Sequence, residues 1–249
     1  SCSACPGRCT FCTAPAFDGM RLRYQSGDYV LGQIEDFLSN GFKEVYFRDD
    51  TFLVDKERDT KICNGIIDRD YNITWICNVR IGMIDKQIME LIKKAGCHLI
   101  KTGVESGVQE ILDRVKKGVK IEQTRNLFKL ANEAGIDTHA HVMLGMPGET
   151  EETLKRTVDF ILELKPTTAT FGICTPYPGA PLFEEVSRLS PELEDGTGSD
   201  FSKLHTQGLF NEYYTSLKRQ ELEKNLKLAY RRFYWRISYI LETLSRIKG

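Results

Sequence analysis

The sequence has no apolar run near the ~18 residues that a bilayer-crossing helix needs, and nothing at its start reads as a secretory leader. It also lacks an excess of charge of either sign: 34 Lys and Arg against 35 Asp and Glu leave −1 over 249 residues. A protein built chiefly to coat nucleic acid would carry a strong basic excess, so that class is excluded. Low-complexity and collagen-like stretches are missing, and 41% hydrophobic residues separate the chain from disordered sequences. Position 1 is Ser, not an initiator Met, so the chain is read as a fragment. The eight cysteines are too few and too unevenly placed for a disulfide scaffold. Cys63, Cys77, Cys97 and Cys174 stand in apolar segments, where free cysteine packs as a small hydrophobe. Cys2, Cys5, Cys9 and Cys12 crowd the first twelve residues, and thiols held ready for a metal imply a reducing, cytoplasmic setting.

What is present is an alternation. Apolar, β-branched runs predict strands at residues 44–48, 73–78, 98–104, 136–144 and 168–174. Between them lie helical patterns. Val30, Leu31, Ile34, Phe37 and Leu38 form one face ended by Gly41; Ile88, Leu91, Ile92 and Ala95 form another, opened by Asp85 and ended by Gly96. Thr150 caps a third, which Pro166 stops. Strict alternation implies a parallel sheet with helices on one side. A closed eight-unit barrel needs ~250 residues, or ~31 per unit, so residues 5–183 hold about six units. The expected fold is therefore α/β: a partial (β/α)6 TIM-like barrel over residues 1–183, with a C-terminal helical extension over 184–249. Residues 190–200 read as a hinge or loop, and 217–247 as one or two long basic helices. From Ser216 onward nine Lys and Arg face three Glu, with Tyr230, Phe233, Tyr234, Trp235 and Tyr239 interleaved. A helix packed on the barrel explains this, with RNA or an anionic membrane surface as the alternative contact.

The string Cys5-Pro-Gly-Arg-Cys9-Thr-Phe-Cys12 puts three thiols on one short loop, which suits an iron–sulfur cluster with one iron left unligated by protein. Two other readings stay open: a zinc knot that recruits Cys2, and a chance grouping of reduced cysteines. Structural zinc ribbons usually separate their cysteine pairs by ~15–20 residues, and here only three intervene.

Further strings occur in a fixed order: Phe47-Arg-Asp-Asp-Thr-Phe52, Trp75-Ile-Cys-Asn-Val-Arg80, Gly103-Val-Glu-Ser-Gly107, Leu144-Gly-Met-Pro-Gly-Glu-Thr150 and Pro176-Tyr-Pro-Gly179. With the cysteine string and the tail Ala229-Tyr-Arg-Arg-Phe-Tyr-Trp-Arg236, the sequence resembles the radical S-adenosylmethionine (SAM) superfamily. More narrowly, it is similar to the catalytic core of its cobalamin-binding members. The resemblance implies a 4Fe-4S cluster on Cys5, Cys9 and Cys12, with SAM chelating the remaining iron and being cleaved reductively to a 5′-deoxyadenosyl radical. It implies C-methylation, cyclisation or another radical modification in lipid, tetrapyrrole or natural-product biosynthesis. The expected partners are a small-molecule or lipid-like substrate and a reductant such as flavodoxin or ferredoxin, but not nucleic acid. Cobalamin would be bound by a domain upstream of Ser1, where the first barrel strand is also expected.

SAM offers an ammonium, a carboxylate, a ribose diol and an adenine, and each wants its own partner. Asp49 or Asp50 suits the ammonium, Arg80 the carboxylate, and Glu105 with Ser106 the diol, all at strand ends where barrel sites collect. Gly145 and Gly148 would let backbone approach the flat ring, with Phe11, Pro176 and Tyr177 adding contact. Plainer readings exist for each: Asp49 and Asp50 as a helix cap or solvated turn, Arg80 as a surface ion pair, Gly103 and Gly107 as ordinary turn glycines. His139 and His141 read as packed or hydrogen-bonded barrel histidines, and Lys116-Lys117-Gly118 as a solvated helix end. Asp137-x-His139 begins a cobalamin-binding D-x-H-x-x-G string that Val142 breaks. Two alternatives to the leading function are an RNA-modifying methylthiotransferase and a non-catalytic binding module. The first would add a β-rich domain where residues 184–249 look helical, and the intact cysteine string weighs against the second.

Overall fold

Strand and helix alternate as the apolar periodicity predicts. The computed structural model describes residues 1–189 and 211–247, so the hinge expected at 190–200 and His205 lie outside the described residues. The chain opens with β1 (Cys2–Ser3), α1 (Ala14–Asp18) and β2 (Arg23–Tyr24), and β1 pairs with β2 antiparallel. Then follow α2 (Gly27–Ser39), β3 (Glu44–Phe52), α3 (Lys56–Asp68), β4 (Thr74–Val79), α4 (Lys86–Lys94) and β5 (Cys97–Glu105). The second half adds α5 (Gln109–Arg114), α6 (Ile121–Glu133), β6 (Asp137–Leu144), α7 (Glu151–Leu164), β7 (Thr168–Ile173) and α8 (Pro181–Leu189). Two last helices, α9 (Arg219–Tyr234) and α10 (Ile237–Ile247), close the chain. β3 to β7 form one parallel sheet in chain order, a partial barrel of five strands among the described residues. No described helix is long and apolar enough to cross a membrane.

Local chemistry sets the helix starts. Ser26, Asp85 and Thr150 accept the N–H of Tyr29, Ile88 and Thr153, satisfying donors that a first turn leaves open. α7 ends at Lys165 in a left-handed conformation, and Pro166 cannot continue it.

The strands sort their side chains by parity. On the outer face Phe47, Trp75, Cys77, Ile100, Val142 and Phe171 are buried beneath the helices. Trp75 is 1% exposed, donates Nε1–H to the Ala95 carbonyl at 2.7 Å, and meets Phe47 and Phe52 edge-on. The inner face carries Asn78, Lys101, Gly103, His139 and His141, none of them buried. Parallel sheets are usually apolar on both faces, so this polar side marks an open lumen.

The C-terminal helices belong to the same core. Leu222, Leu226, Ala229 and Phe233 of α9 pack with Val142, Leu144, Ala169 and Phe171. Tyr230 and Tyr234 then turn their hydroxyls onto the free edge of β7. Tyr234 Oη accepts the Ala169 N–H at 3.0 Å and donates to its carbonyl at 2.7 Å; Tyr230 Oη does the same for Phe171 at 3.2 and 3.0 Å. Four helical residues rise about 6 Å and two strand residues about 6.6 Å, so the two repeats match. The aromatic residues of the tail that sequence reading also offered to RNA or membrane are spent here, except Trp235, which is exposed.

Behind the end of β6, Glu149 folds back over its own turn. Its Oε2 accepts the Gly145 and Met146 N–H groups, while its Oε1 has no partner among the described residues and the residue is fully buried. Burial pushes its carboxyl from 4.5 up to about 7, against the pull of those two N–H groups. Folded Glu149 thus holds its proton more tightly than in the unfolded chain. Its stabilising share is complete below about pH 4.5 and is lost as pH rises to about 7. We expect the urea midpoint to fall between about pH 5 and pH 8, and Glu149→Gln to flatten that fall; equal slopes would place the dependence elsewhere.

Candidate active site

The cysteine string forms a loop held from three sides. The Thr10 N–H donates to the Val115 carbonyl at 2.9 Å, and the Thr10 carbonyl accepts from Leu182 at 2.8 Å. Gly7 lies under the Arg80 guanidinium so closely that a Cβ there would stand 2.7 Å from Nη1. The Gly7 N–H donates to Cys5 Sγ and the Ala14 N–H to Cys12 Sγ, both at 3.4 Å. Burial raises the Cys12 thiol above its ordinary range; the Ala14 N–H opposes this, and the neighbouring Cys9 and Cys5 add to it. The three sulfurs therefore share one electrostatic neighbourhood.

They also share one cavity of about 340 Å³ with Phe11, Asp50, Arg80 and Glu105. Asp50 stands at the rim. Its carboxyl is pushed up by partial burial first, then by the Asp18 carboxylate beside it. Arg80, at the end of β4, donates to the Lys117 carbonyl. Glu105 ends β5 in a left-handed conformation (φ +63°), costly for a non-glycine residue, at a register shift between Gly103 and Glu105. That shift folds its carboxylate back over the strand, where Lys117 Nζ lies 2.8 Å from Oε1. A Cβ at Gly103 would meet the same oxygen and Lys117 Nζ, so any side chain there would push the Glu105–Lys117 pair aside.

Six expected residues do not line the cavity. Asp49 points to the other side of β3, where it accepts from the Ser1 hydroxyl and, at 2.9 Å, from the Cys2 N–H. Neighbours on a strand face opposite ways, so only Asp50 can look inward. Ser106 is fully buried, its hydroxyl 3.0 Å from Thr157 Oγ1 and accepting the Val108 N–H, which makes it a turn fastener. Gly145 and Gly148 lie in the turn after β6: the Gly145 carbonyl accepts from Asn211, and the Gly148 N–H donates to the Tyr214 carbonyl. Pro176 and Tyr177 fall on the link from β7 to α8, outside the lining residues.

Lys117 corrects the sequence reading most sharply. It is no solvated helix end: its side chain is 10% exposed, paired with Glu105 and part of the cavity wall. Asn78, Lys101 and His141 also line the wall and were not among the expected site residues. Inner-face parity alone could have found them. His139 is hydrogen-bonded as expected, to Thr168 at 2.7 Å and Thr170 at 3.0 Å.

The residues fit an iron–sulfur cluster by their donor chemistry. Three soft thiols line one cavity, two of them accepting backbone N–H groups. Cys2, needed as fourth ligand by the zinc reading, sits outside the cavity beside Asp49, its thiol raised by burial and by that carboxylate.

The family model described as the radical SAM superfamily matches residues 1–161. An uncharacterized methyltransferase of Pyrococcus horikoshii is 32% identical over 181 residues, which are 72% of this chain and 39% of that protein. The anaerobic magnesium-protoporphyrin IX monomethyl ester cyclase of Rubrivivax gelatinosus is 30% identical over 187 residues, 73% of this chain and 33% of that one. In three dimensions the chain is similar to TsrM of Kitasatospora setae, a radical S-adenosylmethionine methyltransferase solved with cobalamin and a 4Fe-4S cluster bound. There the TM-score is 0.71 at 24% identity, covering 76% of this chain and 38% of that one, a likeness of fold. The chain thus spans 33–39% of the length of these relatives.

The Glu105–Lys117 pair generates a test of the site's construction. Lys117→Met leaves a buried carboxylate unpaired and should cost about 3–5 kcal/mol in urea unfolding. The double variant Glu105→Gln/Lys117→Met should recover most of that loss. Additive losses would mean that the two side chains do not act as a pair.

Proposed function

The chain belongs to the radical SAM superfamily, and from that premise we propose that its cavity holds a 4Fe-4S cluster and SAM for a radical methylation or cyclisation. The observation that carries this reading is the meeting of Cys5, Cys9 and Cys12 with Asp50, Arg80 and Glu105 around one cavity. Cys5, Cys9 and Cys12 would hold the cluster, which when reduced would supply the one electron for cleaving the sulfonium C–S bond of SAM to methionine and a 5′-deoxyadenosyl radical. Each side chain then has a task its surroundings support. The Gly7 and Ala14 N–H groups orient the Cys5 and Cys12 sulfurs by donating to them. Asp50, already crowded by Asp18, gains a counter-ion when the SAM ammonium arrives. Arg80, fixed on the Lys117 carbonyl, presents its remaining N–H groups to the SAM carboxylate. Lys117 occupies Glu105 Oε1 and leaves Oε2 for the ribose hydroxyls. Phe11 adds apolar wall beside them.

The finer assignment to methylation or cyclisation rests on the relatives, a methyltransferase and a cyclase among them. In this reading cobalamin is held by a part of the protein outside residues 1–249, and a flavodoxin or ferredoxin delivers the electron. The substrate is small or lipid-like, and the setting cytoplasmic.

Anaerobic reconstitution with iron and sulfide should give an oxygen-labile cluster that forms 5′-deoxyadenosine from SAM under reduction. Cys5→Ala, Cys9→Ala and Cys12→Ala should abolish the cluster, and Cys2→Ala should retain it; the reverse pattern overturns the ligand set. Glu105→Ala should keep the cluster but weaken SAM binding by about 1.5–3 kcal/mol, read by calorimetry.

A further inference from the structure

The inner face of the sheet holds a cation that the site described so far does not use. Lys101 lines the cavity wall four residues before Glu105, about 13 Å further down β5 and away from the strand end. Among the described residues no carboxylate pairs with its ammonium, whereas Glu105, Lys117 and Arg80 of the same wall are engaged with one another. Instead Nζ rests 5.1 Å from the centroid of the Tyr46 ring. Tyr46 is fixed in turn, its hydroxyl donating to Asn78 Oδ1 at 3.0 Å while Asn78 Nδ2 donates to the Asp49 carbonyl at 2.8 Å. Asn78, Lys101 and His139 are register partners on three adjacent strands, so they form one row across the lumen.

The surroundings keep that ammonium as the one mobile positive charge in the row. His139 is tied at both ring nitrogens by Thr168 and Thr170, and His141 meets it edge-on with ring centroids 4.5 Å apart. Both imidazoles are held on the neutral side by burial first, with Lys101 among the further causes. A half-buried ammonium on the cavity wall, with no carboxylate in ion-pair reach among the described residues, favours an anion. A single charge matches a monoanion. A phosphate dianion would call for a second unpaired cation inside, and Arg48, the nearest by its own contact with Tyr46, is exposed.

We infer that Lys101 anchors a carboxylate of the substrate, holding the rest of that molecule in the lumen between the anchor and Glu105. This deepens the SAM reading above and rests on it for the position of the reacting end, though not for the anion site itself.

The test uses the anaerobically reconstituted chain and ligand-observed NMR with acetate, benzoate and 2-naphthoate, each against its neutral amide. At least one carboxylate should bind at least about tenfold tighter than its amide, the scale of one charge-assisted hydrogen bond. Lys101→Met should erase that difference, and Lys101→Arg should keep it. Equal binding of acid and amide in the unaltered chain, or no binding by any of the three acids, overturns the proposal without recourse to a variant. Phenyl phosphate binding tighter than benzoate overturns the carboxylate assignment. SAM cleavage by the unaltered chain, assayed without any carboxylate, is scored separately, so failure of the SAM reading and failure of the anchor give different results.

Discussion

The turn after α5 gathers the parts of the site into one body. The Val115 carbonyl takes the N–H of Thr10 in the cysteine loop, the Lys117 carbonyl takes the guanidinium at the end of β4, and Lys117 Nζ takes the carboxylate at the end of β5. One short segment thereby fixes the loop, Arg80 and Glu105 relative to each other. Each link is polar and shielded from water, where a missing partner is expensive. The pair at its centre stands at a left-handed residue, over a glycine whose missing side chain leaves it room. Such a site is rigid before any ligand arrives, as positioning reactive groups demands.

A second constraint is the parity of the strands. A half-open parallel sheet must give one face to the helices and keep the other wet, and every strand from β3 to β7 follows this rule. The cost is a sheet that forgoes apolar packing on its inner side. The gain is a wall on which each inward position can carry chemistry. Asp50 and Asp49 show how strict the division is: adjacent, chemically identical, and on opposite sides of the strand.

Much of this was legible in the sequence for reasons of period and capping. The five strands lie within a few residues of their expected places, because β-branched runs bounded by caps and glycines leave little choice. Asp85 and Thr150 start helices because their side chains outcompete water for the first N–H groups. The cysteine string and the strand-end Asp50, Arg80 and Glu105 were legible from spacing and order. Lys117 was not, since a lysine near a helix end is ordinarily solvated, and its partner lies twelve residues back across a turn. Ser106 shows the opposite limit: a hydroxyl beside a site acid looks functional, and its bond to Thr157, distant in sequence, has no local signal. Local pattern shows which residues could act; long-range pairing decides which are free to.

The seal on β7 has an evolutionary reading. An edge strand is normally protected by charge, proline or another strand, and all of these tolerate drift in the elements around them. Here the protection comes from two phenols one helical turn apart, each matched to one residue pair of the strand. Inserting or deleting a single residue between Tyr230 and Tyr234 would rotate one hydroxyl about 100° away and unseal the edge. A surface helix remote from the cysteines thus carries the indel intolerance of a strand inside a sheet. Its length, more than its composition, is what descendants of this sequence must preserve.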